Sequence, residues 1–169
     1  DPQIIQLARQ RPADLFAEAL SRYRSEIKDY RCRFIRLERL GGSLTPAQHI
    51  DVSFLTEPFS VLFQWVKNPP QADKLLYVQG QNDGKAMVLP TVVGWLPGPV
   101  AIDPLGVRAR QNSRRPVTDF GFERMLTRIA MPYQTGRLSA GGRFEDRFVG
   151  LVEVAGTAAI SIERRRLEP

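Results

Sequence analysis

Hydrophobic residues recur every three to four positions through the first thirty residues: Ile4, Leu7 and Ala8, then Leu15, Phe16, Ala19, Leu20, Tyr23 and Ile27. That spacing lines one side of a 3.6-residue turn, and Pro12 suits a first helical position, so helix is predicted over 3–29. From Tyr30 the period drops to two. Tyr30, Cys32 and Phe34 alternate with Arg31 and Arg33, then Ile35 and Leu37 alternate with Arg36 and Glu38. The phase slips by one residue between Phe34 and Ile35, as a bulge would allow. Gly41-Gly42-Ser43 punctuates the chain like a hairpin, and Ile50, Val52 and Phe54 restart the alternation. After Glu57-Pro58 a further run sets Phe59, Val61, Phe63 and Trp65 on one face. A fourth strand is predicted over 75–79, with Asn82-Asp83-Gly84 making a tight turn into 85–89. Connections this short force antiparallel neighbours, so 30–89 is predicted to be an antiparallel meander.

The remainder is less regular. Residues 90–104 interleave Val92, Val93, Trp95, Leu96, Val100 and Ile102 with Gly94, Pro97, Gly98 and Pro99, a loop that must be covered. It either tucks onto the protein's own core or forms a lid over an apolar site. Phe122, Met125, Leu126 and Ile129 have helical spacing, which predicts a second helix over 118–130, capped by Thr118 or Asp119, ended by Met131-Pro132 and packed against the sheet. Strands are predicted again over 143–163, with a hairpin at Ala155-Gly156. The fold class expected is α+β in a single domain over 1–169: a curved antiparallel β-sheet with an N-terminal helix and a second helix on its concave face.

Composition narrows the chemistry. The 169 residues suffice for one ordinary core, and no apolar run reaches the length of a membrane-spanning helix. Asp1-Pro2-Gln3 does not open a signal peptide, so the chain is either cytosolic or has lost a leader. Cys32 is the only cysteine and His49 the only histidine, which excludes an internal disulfide and a cysteine- or histidine-rich metal site. Twenty arginines and four lysines give a net charge of +6. This fits either a phosphate-binding face or charge spread evenly. No basic and aromatic cluster typical of nucleic-acid recognition occurs, so no nucleic-acid partner is expected. Arg164-Arg165-Arg166 reads as part of a solvated tail.

Enzyme templates fail one by one. Gly41-Gly42 and Gly141-Gly142 do not feed helix N-termini, so no phosphate-cradling loop forms and no cofactor is implied. Cys32 lies mid-strand as a buried structural thiol, though strand pairing could bring His49 into weak coupling with it. Glu145 and Asp146 are adjacent and point to opposite faces of a strand, which is wrong for shared acid/base work. No catalytic residue or metal ligand is assigned, and no enzyme activity is expected. What remains is a strongly aromatic sheet. If it curls into an open barrel, its concave side is either filled by helix side chains or left as an apolar cavity.

Four blocks carry a resemblance: Tyr30-Arg31-Cys32-Arg33-Phe34; Glu57-Pro58-Phe59-Ser60-Val61 through Gln64-Trp65; Leu76-Tyr77-Val78 followed by Asn82-Asp83-Gly84-Lys85; and Ser113-Arg114-Arg115-Pro116-Val117. Their order and spacing over roughly residues 23–130 resemble exported bacterial proteins of domain of unknown function family 1571. More distantly, a Pro-aromatic strand ending in Trp before an Asp-Gly-Lys turn is similar to the periplasmic lipoprotein carrier. That LolA-like resemblance implies an unclosed half-barrel sheltering acyl chains; the resemblance to the exported family implies a periplasmic or otherwise exported location with a leader before Asp1, and further strands beyond Ile162. The carrier's basic contact surface matches no single arginine here.

Together these readings lead to an expectation of non-enzymatic binding or carrying of an apolar ligand, such as a lipid or lipoprotein acyl chain, in the cell envelope. Phe54, Phe63, Trp65, Val78, Met87 and Trp95 are the candidate lining. The alternative is a protein-interaction or structural envelope module without a ligand cavity, whose partner is another envelope protein.

Overall fold

A computed structural model describes residues 1–91, 98–136 and 142–167. In chain order its elements are helices α1 (Pro2–Gln10) and α2 (Pro12–Glu26), then strands β1 (Asp29–Arg36), β2 (Arg39–Leu40), β3 (Ser43–Leu44), β4 (Gln48–Leu55), β5 (Ser60–Lys67), β6 (Ala72–Val78), β7 (Ala86–Pro90) and β8 (Val100–Ile102). Helices α3 (Val107–Asn112) and α4 (Phe122–Thr135) and strands β9 (Arg143–Val154) and β10 (Thr157–Leu167) complete them. The fold is mixed α and β, built on a large, unclosed antiparallel sheet. It divides into two compact units, one of residues Ile27–Gly121 and one that joins Asp1–Glu26 to Phe122–Pro169.

The first unit is the meander. Its six strands lie in the order β1-β4-β5-β6-β7-β8, each antiparallel to its neighbour, and β1 and β8 are the two edges. The β2–β3 ribbon sits in the β1–β4 connection, with Gly41 and Gly42 at positive φ in its two-residue turn. The core is one face of this sheet. Ile50, Val52, Phe54, Val61, Phe63, Tyr77 and Ala86 are buried there, and Tyr30, Cys32, Phe34, Trp65 and Leu75 pack against them.

Two local expectations are corrected in this unit. Strand β1 runs through Phe34 and Ile35 in unbroken register with β4, so no bulge forms. Ile35 turns outward, 58% exposed, and Arg36 turns inward instead. An inward arginine is tolerated because Gln48, directly opposite it, accepts a 2.6 Å hydrogen bond from its Nη2. Residues 90–104, expected as a loop, hold the edge strand β8, which pairs with β7. Asn82-Asp83-Gly84 makes the expected tight turn as a 3₁₀ turn, with all three residues at positive φ.

The second unit pairs helices with a long hairpin. α2 and α4 pack on each other, with Phe16 6.2 Å from Tyr133 and Tyr23 6.4 Å from Phe122 between ring centres. Arg24 Nε donates to Glu123 Oε1 at 2.8 Å across the same pair. β9 and β10 turn through Ala155 and Gly156, both at positive φ, where the sequence places a hairpin. Two helix boundaries differ from expectation. Residues Val117–Asp119 form a 3₁₀ turn, and α4 begins only at Phe122, after Gly121 at φ +112° has broken the path. At its other end α4 passes through Pro132 to Thr135. Proline denies the Arg128 carbonyl its helical donor and crowds this turn, and Arg164 Nη1 donates to the adjacent Ile129 carbonyl at 2.9 Å, which supports the backbone where the ladder is weakened.

Candidate ligand-binding site

Strand parity builds the candidate site. On the inner face, β1 contributes Tyr30, Cys32, Phe34 and Arg36, β4 contributes Gln48, Ile50, Val52 and Phe54, and β5 contributes Val61, Phe63 and Trp65. The register sets Tyr30 beside Phe54, Phe54 beside Val61, and Ile50 beside Trp65, so the rings form a continuous aromatic surface. Tyr30 stacks on Phe54 at 4.7 Å between ring centres, and Phe59 meets Phe54 edge-on at 5.5 Å. Such pairs contribute about 0.5–1.5 kcal/mol each beyond their buried area.

Within this unit, what lies on the aromatic surface is the irregular segment after α3. Its Phe120 ring sits 5.0 Å from Phe63, 5.5 Å from Phe34 and 6.3 Å from Phe54, and Val117 is buried beside it. The backbone there approaches the sheet closely: a Cβ on Gly121 would come within 3.0 Å of the Phe54 ring, at a φ that side chains rarely adopt. Phe120 therefore plugs the aromatic surface from a segment bounded by Pro116 and Gly121.

One end of that surface is polar. Gln48, 5% exposed, accepts from Arg36 Nη2 at 2.6 Å and from Trp65 Nε1 at 2.9 Å through the same oxygen. Arg36 Nε is buried without a hydrogen bond, its nearest carboxylate being Glu38 at 3.8 Å. Burial pulls the Arg36 guanidinium below its ordinary pKa, and Glu38 opposes that fall. The inner face thus offers a row of rings ending at a desolvated cation and an indole.

Of the expected lining residues, the structure brings Phe54, Phe63 and Trp65 together on this face. Val78 and Met87 are corrected: Tyr77, Ala86 and Val88 point inward, so Val78 and Met87 alternate to the opposite face, where Met87 stands opposite Leu76. Trp95, with Val92, Val93, Leu96 and Pro97, lies outside the described residues, as does most of the 136–142 connection. Cys32 and His49 fall on opposite faces, Cys32 opposite Val52 and His49 opposite Ile35, so they are not coupled. Burial pushes the Cys32 thiol above its usual pKa, which favours the inert thiol form.

Residues 27–145, more than two thirds of the chain, match the model of a family described as protein of unknown function (DUF1571). The chain belongs to this family. No curated protein and no solved structure matches it. The DUF1571 match takes in all six strands of the sheet, Phe120 and α4, and so contains the whole aromatic surface.

Sequence reasoning missed a second constellation, in the helix–hairpin unit. Asp146, whose side chain is 2% exposed, accepts from Arg164 Nε at 2.8 Å and Nη2 at 2.7 Å and from the Tyr133 hydroxyl. The Arg164 guanidinium lies 4.6 Å from the Phe144 ring centre and 5.2 Å from that of Tyr133. Burial alone would raise the Asp146 pKa, but the hydrogen bonds from Arg164 and Tyr133 outweigh it and hold the carboxyl below its usual range. The Tyr133 hydroxyl is pushed up to about 12, first by burial and then by its bond to Asp146. This arrangement fixes α4 to the hairpin. It corrects the reading of Arg164-Arg165-Arg166 as a tail, since all three lie in β10 and Arg165 pairs with Glu163 at 3.0 Å. As expected, Glu145 points away from Asp146, outward. The signal was present in the parity of 144, 146 and 164, but it needs the hairpin register, in which Asp146 stands opposite Arg164, to be read.

Proposed function

We propose that this protein binds or carries an apolar ligand, such as a lipid or lipoprotein acyl chain, without making or breaking a bond. The observation that carries this reading is the aromatic surface of the open sheet, on which, among the described residues of this unit, the ring of Phe120 sits from a segment without long secondary structure. An acyl chain that displaces Phe120 meets Phe34, Phe54 and Phe63 in its place. At about 25 cal/mol per Å² removed from water, a chain covering these rings recovers the area that Phe120 gives up. The desolvated Arg36 at one end suits the polar or anionic end of such a molecule. Among the described residues no three His, Cys, Asp or Glu side chains gather as a metal site requires, and no helix is long and apolar enough to cross a membrane. A half-barrel of the lipoprotein-carrier kind, an exported or periplasmic location and an envelope lipid as ligand all belong to the same proposal.

A second reading is favoured by one specific feature. Toward its turn the β9–β10 hairpin exposes Val149, Leu151, Val152 and Val154, with Glu153 as the only charge between Phe148 and Ile162. A protein-interaction module in the envelope would use such a tip. The two readings differ at Trp65. In the ligand reading Trp65→Ala weakens binding of a fluorescent acyl probe roughly tenfold, a larger change than its effect on melting predicts, whereas unchanged probe affinity sinks that reading.

A further inference from the structure

Between Asp103 and Asp119 the chain carries Arg108, Arg110, Arg114 and Arg115 and no acidic residue. None of these four guanidinium groups is paired with a carboxylate or carbonyl of a described residue, whereas Arg22, Arg24, Arg33 and Arg147 each meet a carboxylate. Two of the four line one hollow. Arg110 and Arg114, with Leu105, Ser113 and Pro116, line an open hollow of about 430 Å³, within the size range of small-ligand sites.

The backbone beneath them is braced. Ser113 Oγ donates to the Arg115 carbonyl at 2.8 Å and accepts from the Arg115 N–H at 3.3 Å, while the Arg114 N–H donates to Glu38 Oε1 at 3.3 Å. The nearby carboxylates are already occupied, Glu38 by that bond and by Arg36 at 3.8 Å, and Asp103 by the Leu105 N–H at 2.8 Å. Since the Ser113 proton is spent on the backbone, the hollow's free donors are the two arginine forks. Two arginines at the wall of one hollow match an anion with several oxygens and about two charges better than a single carboxylate. Beside the hollow, Leu105 and Val107 are 56% and 73% exposed, an apolar rim that an ester substituent could cover.

We propose that this hollow is a phosphate-binding site, taking a phosphate group either as a free ion or as the head group of a phospholipid through Arg110 and Arg114. It stands independently of the reading of the aromatic surface. The test adds inorganic phosphate to the full chain and follows the arginine Nε–H resonances by NMR. In parallel the chain is sedimented with phosphatidylcholine vesicles, with and without phosphatidylglycerol. The site predicts shifts at Arg110 and Arg114 ahead of other arginines, and affinity lowered roughly tenfold in Arg110→Gln/Arg114→Gln but not in Arg31→Gln/Arg143→Gln. The double lysine variant, which keeps the charge and loses the fork, should fall between them. Saturation by inorganic phosphate, with no added retention on phosphatidylglycerol vesicles, assigns the free ion. Retention on those vesicles that is lost in Arg110→Gln/Arg114→Gln assigns the head group. Equal shifts at all arginines, or binding by the glutamine variant as tight as by the natural chain, overturns the proposal.

Discussion

Arg36 and Asp146 show how single residues decide this structure. Each is an ionised group turned inward, and each is tolerated because a partner stands directly opposite in the register: Gln48 for Arg36 and Arg164 for Asp146. Asp146→Asn would leave Arg164 half-compensated. Since Arg164 keeps a side-chain exposure of 23% and its bond to Ile129, the cost is set below that of a fully buried pair, at about 2 kcal/mol. That predicts a melting temperature lower by roughly 4–8 °C in calorimetry. The pH dependence has a definite sign. The folded-state pKa of Asp146 is depressed, so its contribution is present in full above the ordinary carboxylate pKa near 3.8 and is lost as pH falls through the lower folded value. The asparagine variant should therefore lose less stability than the natural chain below that pH; equal losses would remove Asp146 from this role. Inward charges were the part of the site least legible in the sequence. Alternation of apolar residues predicts Ile35 inward and Arg36 outward, and no local signal announces a partner that arrives twelve or eighteen residues away.

At the scale of elements, patterning located β1, β4, β5, β6 and β7, because hydrophobic alternation and turn residues agree there, and missed the short edge strand β8 among the prolines and glycines of 90–104. It failed on faces where a run is apolar at every position. Leu75-Leu76-Tyr77-Val78 and Ala86-Met87-Val88 offer no polar residue to set the phase, so the pattern does not show that Val78 and Met87 face away from the core. Helix α4 outlasted its proline because Arg164, remote in sequence, supports the carbonyl beside the break. The β9–β10 turn supports a prediction of its own. Ala155 adopts φ +49°, a left-handed conformation that costs a residue with a Cβ about 1 kcal/mol, and asparagine tolerates it better. Ala155→Asn should raise the melting temperature by roughly 2–4 °C. No change, or a fall, would show that this turn does not carry the strain.

For the whole molecule, the DUF1571 assignment was legible in the four sequence blocks, which include strands β1, β5 and β6 and the Asn82-Asp83-Gly84 turn, and the antiparallel sheet in the alternation around them. The covering segment itself was not. Nothing in the spacing of Pro116, Phe120 and Gly121 shows that one ring would settle among Phe34, Phe54 and Phe63. The functional account rests on that ring giving way to a hydrocarbon chain. The most direct measurement is native mass spectrometry of protein produced in its own membrane-bearing host and purified without detergent. The account predicts a discrete adduct of lipid mass that organic extraction removes and an added acyl chain restores. A bare chain mass before extraction, with no uptake of added acyl chain afterwards, would contradict it.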